Sequence, residues 1–445
     1  LSLAGRDERI MKPLIIAGGR IVDPSQNMDE NGDLYIADGI IKTLKKSIKP
    51  DAEAEVIDAS GMLVVPGLID MHVHLRDPGQ EYKEDIISGA KAAAAGGFTA
   101  IASMPNTEPV ADDPSVIRYI QDRAANALVR VYPIGAISKG LKGNEMAEMG
   151  RMQKAGAIAF SDDGKPVMNG NLMRNALQYA SGIGALLIAH EEEYSLSEGG
   201  MMHEGAVSSI IGLRGIPSEA EEVMIARDIA LLRLTGGRLH IAHLSTAGAV
   251  KLVRQAKAEG LAITAEVTAH HLLLTDRMVK NSGYSTYTKV NPPLRTEQDR
   301  QALWEGLLDG TIDAIASDHA PHHDDDKDKE YDFAPFGIAG LEATLPLLLD
   351  EIASGRQKDF TPAVLVEKLS CAPSRILGIP GGTIKPDSPA DVTIIDTSAS
   401  LTVNTDKWYS KSRNTPFAGR QLTGAPLYTI VGGKVVMKEG ALADS

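Results

Sequence analysis

Apolar and polar positions along this chain follow one rhythm at its two ends and another in the middle. Near the N-terminus, PLIIAGGRIVDP, GDLYIADGIIKTLKK and EVIDASGMLVVPG alternate apolar with polar residues and break at Gly-Gly or Asp-Gly pairs. ADVTIIDTSAS and PLYTIVGGKVVMKEG do the same near the C-terminus. Alternation with such turns predicts short antiparallel strands. Between them come eight apolar runs, each followed by a helical stretch: LVVPGLIDMHVH, FTAIASMPN, RVYPIGAI, AIAFSDDG, ALLIAHEE, RLHIAHLS, AITAEVTAHH and IDAIASDHAPH. Asp113-Pro114 predicts a capped helix start. Ser218 with Glu221 predicts a capping box. Gly96-Gly97, Gly182 and Gly236-Gly237 are expected to stop helices.

Eight successive βα units in about 300 residues favour an α/β fold of the closed (β/α)8, TIM-like barrel type over an open doubly wound sheet. No GxGxxG follows the first strand, which also counts against a dinucleotide fold. The expected organisation is a barrel over residues 66–380, with segments 12–65 and 381–445 packing together as one small discontinuous β-sandwich.

The length of 445 residues suits one large barrel with an accessory domain. A net charge of −14 argues against nucleic acid or an anionic membrane surface as partner, so an anionic substrate needs local positive charge. No apolar run reaches the ~18 residues of a membrane span. The single cysteine, Cys371, cannot form an internal disulfide and reads as a buried structural thiol in a cytoplasmic protein. The first ten residues lack the features of a secretion signal and read as a leader or tail before Met11. The charge-rich His322–Glu330 stretch reads as a solvated loop.

Polar residues gather where the apolar runs end. The first run ends in His72-Val73-His74, whose alternating positions point two imidazoles the same way. The fourth ends in Asp162-Asp163, the fifth in His190, the sixth in His243 and the eighth in Asp318. Taken one at a time, each histidine is more readily a hydrogen-bonded core residue. Four histidines and two aspartates at one end of separate barrel strands, where barrel active sites lie, point instead to metal. Imidazole and carboxylate donors suit zinc best. Six ligands exceed one tetrahedral ion, whereas two ions about 3.5–4 Å apart use them all. Such a centre lowers the pKa of bound water to about 7, polarises a carbonyl and, with a neighbouring carboxylate moving the proton, suits amide hydrolysis or its reverse. Arg76, Asn106, Asn291 and His322 lie near the same face, and Arg76 can hold a carboxylate through two bonds.

With these motifs the sequence resembles the dihydroorotases of the amidohydrolase superfamily. PGLIDMHVHLRDPGQEYKED, GGFTAIASMPNT, AFSDDG, IAHEE, HIAHLST, EVTAHHL, KVNPPLR and SDHAPH with PFGIAGLE carry the resemblance through the barrel, and GTIKPDSPADVTIID with VGGKVV carries it into the C-terminal β segment. The resemblance implies reversible closure of N-carbamoyl-L-aspartate to L-dihydroorotate, a step of pyrimidine synthesis, by metal-bound hydroxide. It implies one or two Zn2+ ions, with His72 and His74 on one metal and His190 and His243 on the other. Asp318 would be both ligand and proton shuttle. Arg76, Asn106 and His322 would hold the substrate carboxylate, and Asn291 with the PFGIAG backbone would contact the ring. Many relatives bridge their metals with a carboxylated lysine ending the fourth strand. Here Asp163 is the expected bridge and Asp162 the alternative, which leaves a one-metal form open. The nearest rival is another cyclic amidase, a hydantoinase or allantoinase. A more distant one is an inactive structural homologue that partners aspartate transcarbamoylase, but such relatives lose ligands that this chain keeps. The resemblance leaves room for a homodimer and for association with that transcarbamoylase. The loop 322–335 and the loop after the seventh strand are the lid candidates.

Overall fold

In the computed structural model, which describes residues 12–50 and 53–443, eight parallel strands run in chain order: Leu68–Val73, Phe98–Ser103, Arg130–Pro133, Phe160–Ser161, Leu187–Ala189, Leu239–Ile241, Ile263–Thr268 and Ala314–Ala316. The reading of residues 1–10 lies outside the described residues. The first three strands form one arc and the other five a second. The arcs meet at both edges, where Gly135 bridges Phe160 and Val73 bridges His319, both in parallel. Ser161 N donates to Gly135 O at 2.8 Å and His74 N to His319 O at 2.8 Å across these seams. The ring is thereby closed, and it brings all eight strand C-termini to one face, as a parallel barrel requires.

The interior follows from side-chain size. Ala100, Ala102, Ala159, Ala242, Ala314 and Ala316 share the inner cluster with Ile69, Met71, Met104 and Ile188. Small residues there leave room for polar side chains above them. Ile376 and Leu377, at the end of the helix Ala372–Leu377, and Ile379 just after it complete the cluster, and Arg238, just before the sixth strand, donates to Ile376 O at 2.9 Å. That end of the barrel is thus packed shut.

The chain's two ends meet in one nine-stranded sheet. Leu63–Pro66 pairs antiparallel with Val392–Ile395, while Leu14–Asp23 pairs with Met28–Ala37 on its other side. Between the strands Val392–Thr402 and Gln421–Val431, residues 403–420 leave the sheet and run towards the active-site face.

Local details differ in places from the sequence expectations. The helix Pro114–Ala124 is capped by Asp113, which accepts from Ser115 N. The helix Gly170–Ile183 passes through Gly182 and stops at Gly184, which takes the left-handed conformation. Ser218 forms no side-chain cap, because the Glu221 carboxylate instead accepts from Ser245 N and Oγ. The charged run after the eighth strand is not solvated throughout. Lys327 is 2% exposed and donates to Pro335 O and Gly337 O at 2.8 and 2.9 Å; with no carboxylate in ion-pair contact among the described residues, a buried ammonium satisfies its protons on carbonyls. Cys371 is buried, as expected.

Candidate metal centre and substrate cavity

Each histidine of the centre emerges where a strand ends, and for three of the four a side-chain acceptor sets the orientation of the ring. His72 Nδ1 donates to Glu266 Oε1 at 2.6 Å. His74 Nδ1 donates to Asn106 Oδ1 at 2.8 Å. His190 Nε2 donates to Glu192 Oε2 at 3.2 Å. These bonds place the N–H on the outward nitrogen and turn the bare nitrogen inward, the tautomer that a metal ligand needs.

The inward nitrogens surround Asp163. Its Oδ2 lies 3.4 Å from His72 Nε2 and 3.4 Å from His74 Nε2. Its Oδ1 lies 3.4 Å from His243 Nε2 and 3.7 Å from His190 Nδ1. His190 Nδ1 and His243 Nε2 are 2.9 Å apart. Two donor groups result, His72–His74–Asp163 and Asp163–His190–His243, each able to hold a metal ion. Asp318 Oδ1 stands beside the first, 3.1 Å from His74 Nε2 and 3.6 Å from His72 Nε2.

The donor chemistry fits a divalent ion. His72 Nε2 and Asp163 Oδ1 are buried with no hydrogen-bond partner among the described residues, which is costly for a polar atom unless something coordinates it. Four carboxylates, Asp163, Glu192, Glu266 and Asp318, crowd round four imidazoles at distances that call for added positive charge. Burial favours the neutral acid, yet the electrostatic pull of the surrounding imidazoles, His72 first, holds Asp163 well below the usual carboxylate range. Burial likewise opposes ionisation of Asp318, and the electrostatic pull of the neighbouring imidazoles, His74 first, holds it low. Both carboxylates are therefore ionised and able to ligate at neutral pH.

Asp162, the alternative bridge, points elsewhere. Its Oδ1 accepts from Ile137 N and Ser138 N at 2.8 and 2.9 Å, and its Oδ2 from Ser138 Oγ. Neighbouring residues leaving a strand face opposite ways, so one aspartate of the pair caps the third strand's loop and the other enters the centre.

Three of these residues occupy left-handed backbone: Arg76 at φ 60°, His243 at φ 32° and Asp318 at φ 45°. Such conformations cost about 1–3 kcal/mol each and persist only where surroundings impose them. Around Asp318, Ser317 N donates to Asp70 and His319 N to Ser317 Oγ at 3.0 Å. The His319 ring is held between Glu84 Oε2 at 3.2 Å and Gly340 N at 3.1 Å.

A cavity of about 210 Å3 lies over the centre, and His74, Asp163, His190, His243 and Asp318 line it together with Arg76, Asn106, Asn291 and His322. Arg76 Nε donates to Pro321 O at 3.2 Å, which leaves its terminal nitrogens for the cavity. Burial lowers its pKa to about 10, so it remains a cation at pH 7. His322 Nε2 donates to Phe336 O at 2.8 Å, and its Nδ1 faces Asp326 Oδ2 at 4.0 Å. Burial first, then the charges of Arg76 and Lys327, push His322 down to about 2, so it is neutral. Asn291 Nδ2 donates to Glu192 Oε2 at 2.8 Å, and His271 steadies the same loop by donating to Pro292 O at 3.0 Å.

Sequence reasoning missed Glu266 and Glu192. Glu266 also accepts from His240 Nε2 at 3.2 Å. A fully buried glutamate inside the apolar strand ITAEVT was the available signal, because an acid in a barrel interior needs a cationic or N–H partner. Glu192 follows His190 by two positions, as a residue on the same side of an extended segment does.

Comparison with known proteins gives the family and the fold. Residues 61–249 match the family model described as Dihydro-orotase-like. A dihydroorotase of Pelotomaculum thermopropionicum is 56% identical, over 96% of this chain and 99% of that protein. One of Geotalea daltonii is 54% identical, over 96% and 99%. Among solved structures, the L-hydantoinase (dihydropyrimidinase) of Arthrobacter aurescens superposes with a TM-score of 0.87 at 26% identity, covering 98% of each chain. The D-hydantoinase of a Thermus species gives 0.81 at 25% identity, covering 97% of each.

Proposed function

We infer the chemistry of this cavity from one premise: the chain belongs to the dihydroorotase family. It is a cyclic amide hydrolase that interconverts L-dihydroorotate and N-carbamoyl-L-aspartate. In hydrolysis the ring amide C–N bond breaks, water adds its oxygen to the carbonyl carbon, and the leaving nitrogen takes a proton. The observation that carries the residue assignment is Asp163, whose two oxygens face four inward imidazole nitrogens from separate strands.

His72, His74, Asp163, His190 and His243 would hold the metal, with Asp318 beside the first pair. The donor set of imidazole and carboxylate favours zinc. A divalent ion there supplies Lewis acidity, making water acidic enough to be a nucleophile at neutral pH and polarising the amide carbonyl. The rest falls to the side chains. Asp318, ionised and at the cavity wall, takes the proton of the attacking water and returns it to the ring nitrogen. Arg76, as the cation, and Asn106, through the Nδ2 left free by its bond to His74, hold the substrate carboxylate. His322 reaches that carboxylate by giving up Phe336 O. Asn291 contacts the ring.

The division into a barrel over 66–380 and a sandwich from 12–65 and 381–445 belongs to the same proposal, supported by the pairing of Leu63–Pro66 with Val392–Ile395.

The test is turnover of dihydroorotate against hydantoin, alongside metal analysis of the purified protein. Dihydroorotate is expected to be the preferred substrate by a wide margin, and preference for the ring without a carboxylate would reverse the reading. Arg76→Ala is expected to raise KM for dihydroorotate by about ten- to hundredfold, as loss of a charged hydrogen-bond partner does, with a smaller effect on kcat. An unchanged KM would remove Arg76 from the carboxylate site.

A further inference from the structure

The segment 403–420, which leaves the terminal sheet, reaches the active-site face. It is fastened there by two glutamates, the buried Glu84 and the half-buried Glu342. Glu342 accepts from Tyr409 N and Ser410 N at 2.9 and 3.0 Å. Glu84 accepts from Ser410 Oγ at 2.5 Å and from Lys411 N at 3.3 Å. Beyond this anchor stand Ser412 and Asn414, both fully buried.

Asn414 gathers both ends of the loop that walls the cavity. Its Oδ1 accepts from His322 N at 3.3 Å, where the loop begins. Its Nδ2 donates to Gly337 O at 2.9 Å, where the loop ends, and its backbone oxygen accepts from Ala339 N at 2.9 Å. Ser412 Oγ donates to Asn414 Oδ1 and accepts from His322 N at 3.4 Å. Inside the loop, Lys327 holds Pro335 O and Gly337 O, and Lys289 holds Tyr331 O and Asp332 O at 2.7 and 3.1 Å. The close approach is tight at Gly337, whose φ is 123° and where a Cβ would lie 2.7 Å from Ala320 O and 3.1 Å from His322 Nε2. A loop whose two ends share one buried amide, with two buried ammonium groups on its interior carbonyls, walls the cavity.

We propose that Asn414, supported by Ser412, is a positioning residue for the carboxylate end of the substrate cavity: by tying His322 and Gly337 to one buried side chain it sets the wall against which the substrate carboxylate rests. This rests on the dihydroorotase reading. Asn414 touches neither the metal ligands nor the substrate; it acts through the backbone at positions 322 and 337. Small displacements of such a wall weaken ground-state binding of the carboxylate and leave the proton-transfer machinery at Asp318 in place.

The experiment uses the full chain with metal bound, comparing wild type, Asn414→Ala and Ser412→Ala. Asn414→Ala is expected to raise KM for dihydroorotate by about tenfold, with kcat within about threefold of wild type and metal content unchanged. Binding of orotate, a non-reacting carboxylated analogue, should weaken in parallel by calorimetry. Hydrogen exchange at the amides of His322 and Ala339 should accelerate, because their acceptors are loosened. Ser412→Ala should move each reading in the same direction by less, and it decides the matter if Asn414→Ala does not fold. Faster exchange with KM and orotate affinity unchanged would overturn the proposal. So would a fall in kcat and metal content at constant KM, which would make Asn414 a support of the metal end. A wild-type protein that opens another ring but not dihydroorotate would sink the family reading, and this proposal with it.

Discussion

Asp318→Asn is expected to keep its full metal content and to lose about 10²–10⁴-fold in kcat for dihydroorotate, the range that a positioned general base contributes. Neither donor group depends on this residue: one comprises His72, His74 and Asp163, the other Asp163, His190 and His243. An asparagine still offers an oxygen at the position now 3.1 Å from His74 Nε2. What the variant loses is basicity. The Asp318 carboxylate is ionised at neutral pH and has a lone pair at the cavity wall that can take a proton, which an amide cannot do. Its left-handed backbone is imposed by the Ser317 and His319 bonds on either side, and these do not involve the side chain. The check is metal content by mass spectrometry on the same preparation used for kcat. Wild-type turnover at full metal occupancy would remove Asp318 from proton transfer.

Asp163→Ala is expected to have the other large effect, loss of nearly all bound metal and of detectable turnover. Asp163 is the one residue common to both donor groups, so its removal takes a ligand from each and leaves four inward imidazoles with no anion between them. Metal affinity follows ligand count and charge. The adjacent Asp162→Ala is the control. It removes the acceptor for Ile137 N and Ser138 N and should cost about 1–3 kcal/mol of stability, as unsatisfied buried donors do, while metal content stays at the wild-type level. Metal retained in Asp163→Ala and lost in Asp162→Ala would exchange the two assignments.

The contrast between these neighbours shows where the reading of the sequence reached its limit. Alternation at the chain ends, eight apolar runs between them and a histidine or aspartate at the close of six runs were enough to propose a barrel with a metal centre at one face. Those signals are local. A strand shows itself by its own period, and the end of a strand shows itself by the first polar residue after it. Gly182 and Ser218 mark the weakness of even local signals: the helix ran on to Gly184, and Glu221 left the helix cap for a serine 24 positions away.

What the chain alone determined, then, was the order of strands and helices and the set of polar residues at the strand ends, because both are written in short-range patterns of polarity. Only the tertiary structure decided which aspartate of 162 and 163 enters the centre. It alone gave His72 and His190 their partners in Glu266 and Glu192, and it alone made the charged run after the eighth strand a wall buried around Lys327 and clasped by Asn414. Each of those outcomes is a contact between side chains and backbone groups brought together by closure of the barrel or by the return of the C-terminal segment. The energy that selects such a contact, the cost of leaving a buried donor or acceptor unpaired, does not exist until burial creates it.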